Sequence, residues 1–455
     1  MGTVALKTLA EETGGELIGA SVSLSKLALD SRHVGKGDLF AAIKGSQVDG
    51  HDYAVEALNA GAAALLTQRK LEGIAPQLVV SNVTSATGRF GFLKRQAFSG
   101  DIVAITGSAG KTTTKNLLGA ALGPLGAVHA TSGNQNNELG VPVTLAGLTD
   151  AHRFGVIEMG AGRPGDIAYL CTLAAPDVAV CLNASAAHLE NYVDVGAIAK
   201  TKGEIFEGLG RQSLAVMNAD QEWLPGWRKQ AGTSRQVTFG FSPDADYRAT
   251  AVAHRGVEGV SFHLTGPMGT LPVSLHLAGE QHVANASAAL AVAIELGVDP
   301  PLAAERLLTV RPSAGRGAVF KRSAGGRVVD DSYNANPAAV RAAVDVLARE
   351  PVFRVLILGP MLELGETSAR LHAELGAYAR QAGIDRLITV GEEASSAAES
   401  FGQHASHFAD LGALRADFPA LPTDHIVWVK GSRAAGLEHL VSWLLGATAK
   451  EVPPC

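Results

Sequence analysis

The sequence predicts an α/β protein divided into three blocks, and three observations carry that reading. Short apolar runs of strand length alternate with helical stretches along the chain, the pattern of mostly parallel sheets covered on both faces. At 455 residues the chain is too long for one hydrophobic core, so about two to four domains are expected. One strand-like run passes through a glycine turn straight into a helix start, which is how a protein cradles a polyphosphate.

In the first block, 1–99, strand-like runs at 38–43, 62–67 and 77–81 alternate with a helical stretch at 52–59. A second helix, 84–98, ends at Ser99-Gly100, a natural boundary. The central block, 100–312, opens with the apolar run 101–106 and continues with strands at 154–158, 178–182 and 213–217. A more β-like patch at 247–277 interrupts the alternation before an alanine-rich helix at 283–296. The third block, 313–455, resumes it with strands at 327–329, 353–358, 386–390 and 426–429. Its helices are expected at 338–348, 368–381 and 437–445.

Composition excludes several function classes. Hydrophobic residues at 47% against 18% charged rule out a mainly disordered chain. A net charge of −6 leaves no basic footprint for nucleic acid, so phosphate-bearing partners must be small and locally bound. The three cysteines, Cys171, Cys181 and Cys455, are odd in number and lack metal spacing, which fits a reducing compartment. No basic segment leads into a long apolar core at the N-terminus, and no apolar stretch reaches membrane-spanning length. A cytoplasmic monomer without membrane or nucleic-acid contact is the expectation.

The cradle is Gly107-Ser108-Ala109-Gly110-Lys111-Thr112-Thr113, between the run 101–106 and the helical Lys115-Asn116-Leu117-Leu118. Backbone N–H groups of such a turn close on phosphates; Lys111 would reach the terminal ones, and Thr112 would offer its hydroxyl to Mg²⁺. ATP is the expected ligand. Two residues separate the glycines where a general P-loop has four, and Ile105 stands where the first glycine would fall.

Further candidates lie at the ends of apolar runs, where open α/β sheets bind ligands. Glu158 ends one of them, placed either to hold Mg²⁺ or to cap the next helix. His188 follows another and is read as a satisfied loop histidine or as a contact to a metal or phosphate. Lys200 and Lys202 mark a solvated helix face or stabilise a transferring phosphoryl group. His282 and Asn285 stand at the start of the alanine-rich helix, where polar caps are ordinary. Asp331, Tyr333 and Asn336 belong to a segment dense in hydrogen-bonding groups that is either a plain turn or a ribose-diol site. Arg316, between two glycines at the block junction, is a candidate phosphate clamp.

Together these motifs resemble those of the Mur ligases, ATP-dependent amide-bond enzymes of peptidoglycan synthesis. The shortened P-loop, Thr106 to Thr113, is that family's form. Residues 133–142, 157–161, 186–190, 202–206 and 331–337 match its motifs in order, and so do Met361-Leu362-Glu363-Leu364-Gly365 and Lys430-Gly431-Ser432-Arg433. Pro360 departs from the pattern, since an Asp commonly precedes Met-Leu-Glu-Leu-Gly. Within the family the motifs are most similar to the branch that adds D-alanyl-D-alanine to UDP-N-acetylmuramoyl-tripeptide. The resemblance implies a UDP-muramoyl domain, a central ATPase and a C-terminal Rossmann-like domain. It implies ATP contacts from residues 107–113, His282, Asn285, Arg316 and Asp331, and substrate contacts from Ser31, Arg32, Asp49, Asn137, Tyr333 and Asn336. It also implies Mg²⁺ near Thr112, Glu158, His188 and a carbamylated Lys202, with Lys111, His188 and Lys202 as the catalytic set. Three other readings are weighed beside it: a folylpolyglutamate synthase-like ligase, a P-loop switch or motor, and a non-catalytic UDP-sugar module.

Overall fold

The computed structural model describes residues 2–45, 47–186, 189–322 and 325–446. Three sheets dominate it. The N-terminal sheet has five strands in the order Glu16–Ile18, Gln77–Val79, Ala64–Thr67, Leu39–Ala41 and Leu27–Ala28, all parallel except the first pair. The C-terminal sheet has six: Ala318–Lys321, Arg327–Asp331, His425–Lys430, Phe353–Leu358, Arg386–Val390 and Ala405–Phe408. Only its first pair is antiparallel.

Between them lies a nine-stranded sheet that positions the site. Its P-loop strand, Asp101–Thr106, is flanked by Phe154–Glu158 and Val178–Cys181, both parallel to it. The chain winds to one side of this strand and then crosses to the other, making a topological switch point where such sheets bind ligands. The strand is buried on both faces, and its side chains divide by the period of two. Val103 and Ile105 join the core under the P-loop helix, Lys111–Leu122, and the alanine-rich helix, Glu280–Glu295. Ile102 and Ala104 join the opposite core, with Ile157, Ile198 and Phe206. Each fully buried valine or isoleucine contributes about 1.5–3 kcal/mol, so an unbroken apolar run is what the position demands.

The β-like patch is an antiparallel meander, Tyr247–His254, Val260–Gly266 and Gly269–Leu275. Its first turn reaches out of the central sheet. Val257 is 6% exposed and packs with Val329, Val344 and Trp428 of the C-terminal core. The Val257 N–H donates to Glu350 Oε1 at 2.8 Å, while Glu350 Oε2 pairs with Arg327 Nη2 at 2.6 Å. Gly256, at φ +56, is required there, because a Cβ would run into the Glu350 carboxylate.

Strands at Val128–Ala130, Arg235–Gly240, Ala318–Lys321 and Ala405–Phe408 were not expected from the sequence. Three lie on sheet edges, and Ala318–Lys321 has no fully buried residue, so no apolar run marks it. The alanine-rich helix begins at Glu280, three residues before the apolar pattern does. Among the described residues no helix is long and apolar enough to cross a membrane.

Candidate active site

The P-loop turn is built for close approach. Gly110 caps the following helix at φ +87, and a Cβ there would lie 2.5 Å from Asn285 Oδ1. Asn183, just beyond the Val178–Cys181 strand, clamps the turn from the side. Its Oδ1 accepts from the Ala109 N–H at 2.9 Å, and its Nδ2 donates to the Ala109 carbonyl at 3.1 Å. The Ser108 hydroxyl accepts from the Ser185 N–H at 3.0 Å. Lys111 Nζ donates to the Gly107 carbonyl at 2.7 Å, and burial pushes its ammonium below the ordinary lysine value while Glu158 favours the charge.

Glu158 sits 3% exposed at the last residue of its strand. Oε2 accepts from Thr112 Oγ1 at 2.9 Å and Oε1 from Asn136 Nδ2 at 2.8 Å. Both partners are neutral, so a buried carboxylate and a hydroxyl converge without neutralising one another. These are hard oxygen donors of the kind Mg²⁺ takes. No group of three or more His, Cys, Asp or Glu side chains is placed to hold a metal among the described residues.

Lys202 is brought in by the helix Val195–Gly203, whose start Asp194 caps through the Ala197 N–H at 2.7 Å. Trp227 Nε1 fixes the helix by donating to the Ala199 carbonyl at 2.9 Å. Lys202 is 4% exposed, and burial, reinforced by Lys111, pushes its ammonium down to about 7. Lys200 is exposed and lines no cavity of the site. His188 lies outside the described residues.

Two cavities meet at the P-loop. The first, about 740 Å³, is lined by residues 107–112, Asn137, Glu158 and Lys202 on one side. Tyr333, Asn336, Leu362, Ser432 and Arg433 line the other. The second, about 520 Å³, runs from Ser108, Gly110 and Thr113 to His282, Asn285 and Asp331. Arg316 and Tyr333 border both. The Arg316 guanidinium stacks 4.1 Å from the Tyr333 ring centre, and that of Arg433 lies 5.6 Å from it. Asp331 accepts from Lys430 Nζ at 2.8 Å and Trp428 Nε1 at 3.2 Å; burial raises its carboxyl and Lys430 opposes that. Burial, with Lys430, brings His282 down to about 4. Asn336 caps the helix Pro337–Leu347 through the Ala339 N–H at 2.9 Å, so it serves a turn and borders the cavity at once.

The structure thus brings together the P-loop, Glu158, Lys202, Asn137, Arg316, Tyr333 and Asn336, with His282, Asn285 and Asp331 next door. It does not bring Ser31, Arg32 or Asp49 to either cavity. Ser31 Oγ donates to Glu56 at 3.0 Å, Arg32 pairs with Asp30 at 2.6 Å and Asp49 with Arg69 at 2.9 Å. Sequence reasoning missed Asn136, Asn183 and Arg433 as site residues. Asn136 and Arg433 stand inside family motifs and Asn183 just beyond an apolar run, but nothing in residue type marks them over their neighbours.

The comparisons with known proteins agree along the whole chain. The model of the Mur ligase family catalytic domain matches residues 24–89, that of the Mur ligase middle domain 105–293, and that of the Mur ligase glutamate ligase domain 315–433. UDP-N-acetylmuramoyl-tripeptide--D-alanyl-D-alanine ligase of Escherichia coli (strain K12) is 39% identical over 446 residues, 96% of this chain and 98% of that protein. Among solved structures, MurF from Acinetobacter baumannii matches with a TM-score of 0.89 at 30% identity, covering 98% of this chain and 99% of that one. MurF ligase from Thermotoga maritima, in complex with ADP, matches at 0.81 and 31%, covering 94% and 98%. With similarity over the full length and three models matched in order, the chain belongs to the Mur ligase family.

Proposed function

We propose that this protein is the ATP-dependent ligase that joins D-alanyl-D-alanine to UDP-N-acetylmuramoyl-tripeptide, giving the pentapeptide precursor of peptidoglycan, ADP and phosphate. The observation that carries this reading is the first cavity, where a phosphate cradle faces a wall from the C-terminal sheet. The names of the similar proteins support the substrates. Residues 1–99 are assigned to UDP-muramoyl recognition, 100–312 to ATP and 313–455 to the incoming amine.

A carboxylate is a poor acyl donor, because oxide is a poor leaving group. Attack of the tripeptide carboxylate on the γ-phosphorus breaks the bond to ADP and makes an acyl phosphate. The neutral amine of D-alanyl-D-alanine then attacks the carbonyl carbon. Phosphate departs with the electrons of the C–O bond, one proton is released, and the amide remains. Both steps gain from held geometry and from positive charge at the developing anions.

ATP lies across the two cavities in this reading, with base and ribose near His282, Asn285 and Asp331. Its phosphates follow residues 107–113. Lys111 exchanges the Gly107 carbonyl for the terminal phosphates, and Arg316 clamps them from across the cleft. Thr112 and Glu158 would hold Mg²⁺, together with His188 and Lys202 as its carbamate. Mg²⁺, when bound, supplies charge neutralisation at the phosphates. Carbamate formation joins CO₂ to a neutral amine with loss of a proton, and a lysine held near 7 offers that amine at neutral pH. Ser31, Arg32 and Asp49 serve the UDP-sugar end, Asn137 the peptide, and Tyr333 and Asn336 the incoming dipeptide.

Mass spectrometry of the product from ATP, UDP-N-acetylmuramoyl-tripeptide and D-alanyl-D-alanine tests the proposal directly. The pentapeptide and one phosphate per amide are expected. ATP turnover that does not depend on the muramoyl peptide would overturn it in favour of a switch or motor.

A further inference from the structure

Lys115 follows Lys111 by four residues on the P-loop helix but lines neither cavity. It is 6% exposed, and its Nζ donates to the Thr131 carbonyl at 2.5 Å. The helix fills its buried face with Leu117, Leu118, Ala121 and Leu122, and a leucine or methionine at 115 would fill space without desolvating a charge. The charge therefore calls for another explanation than packing.

Thr131 supplies one, because it is committed on three sides. Its N–H donates to the Val156 carbonyl at 3.0 Å and prolongs the edge strand Val128–Ala130. Its carbonyl takes the Lys115 ammonium, and its Oγ1 accepts from the Glu158 N–H at 2.9 Å. From Thr131 the chain runs into the loop that carries Asn134, Asn136 and Asn137 to the first cavity. Asn136 then grips the far end of the same glutamate. Glu158 is thus fixed at its backbone by the residue Lys115 holds, and at its carboxylate by the loop that starts there.

We infer that Lys115 is a positioning residue: through Thr131 it fixes Glu158 and the asparagine loop around it, so that the carboxylate meets the metal in one orientation. This rests on the reading of Glu158 as a metal ligand. Outer partners of this kind typically change metal affinity by about 10–100-fold when removed.

The test measures Mn²⁺ binding to the full chain in the presence of ADP by electron paramagnetic resonance, beside steady-state kinetics. Lys115→Met keeps the length and loses the charge; it should weaken Mn²⁺ about tenfold and lower kcat, with the KM for ATP changed by less than about threefold. Lys115→Arg should restore most of the Mn²⁺ affinity. Thr131→Val keeps the carbonyl but removes the acceptor of the Glu158 N–H; it should shift Mn²⁺ the same way, and it carries the test if Lys115→Met does not fold. Glu158→Gln is the reference. Mn²⁺ affinity within about twofold of wild type in both Lys115→Met and Thr131→Val, while Glu158→Gln loses it, overturns the inference. Arginine no better than methionine overturns it too, since the effect is then packing. Unchanged binding in Glu158→Gln removes the metal reading, and this inference with it.

Discussion

The two walls of the first cavity differ in how deeply they bury their charges. On the P-loop wall Glu158 and Lys202 are almost fully buried; Glu158 ends a strand, Lys111 and Thr112 start a helix, Lys202 lies on a capped helix, and a loop brings Asn137 beside them. On the facing wall Arg433, at the start of a short 3-10 helix, is 46% exposed, and the Tyr333 ring stacks with it and with Arg316. The proposed reading gives phosphoryl transfer, which tolerates little displacement, to the buried floor and gives entry of the dipeptide to the exposed wall. If that contrast is functional, changes on the floor should strike kcat and changes on the wall should strike KM.

The largest effect is expected for Lys111→Ala, with a loss of about 10³-fold or more in kcat at unchanged secondary structure, measured by phosphate release and circular dichroism. Near-normal turnover would move the phosphate cradle elsewhere. Lys202→Ala should lose about 10²-fold and recover in part with added formate, whereas Lys200→Ala should stay within about twofold. Equal losses at both lysines would erase the difference between a buried and a solvated neighbour.

On the opposite wall, Tyr333→Ala should raise the KM for D-alanyl-D-alanine about tenfold and leave the KM for ATP within about threefold. Tyr333→Phe should be nearly silent, since the ring and not the hydroxyl makes the stack. A kcat defect in the alanine variant without a KM change would erase that division between wall and floor.

The smallest effect concerns pH. His282 is held near 4 when folded, against an ordinary value of 6.5, so the unfolded chain binds more protons between those values. Its contribution to stability is full above 6.5 and is lost as pH falls toward 4. Because the ring borders a cavity that admits solvent, about 1–2 kcal/mol is expected at most. Urea midpoints at pH 7 and pH 5 should differ less in His282→Gln than in the wild type.

The floor was legible in the sequence because its parts are local. A strand, a glycine turn and Lys-Thr occupy consecutive positions, and Glu158 ends an apolar run that can be read from its own residues. The wall was legible only in fragments. Arg433 and Tyr333 stand a hundred residues apart in sequence and meet because their strands are neighbours in the C-terminal sheet, which residue patterns do not announce. The clamp by Asn183 and the tie from Lys115 through Thr131 escaped for the same reason: each consists of a pair of hydrogen bonds between segments that composition treats as unrelated. The edge strands escaped because solvent on one side leaves them without an apolar run.

The Val257 peg bears on how the molecule is made. Translation releases the meander before any strand of the C-terminal sheet, so the peg is already presented when Val329, Val344 and Trp428 emerge to surround it. The last core can therefore condense on a template. A fragment that begins after residue 312 would lack Val257 and leave Glu350 without the Val257 N–H, so it should be less stable alone and gain stability when the central segment is supplied in trans.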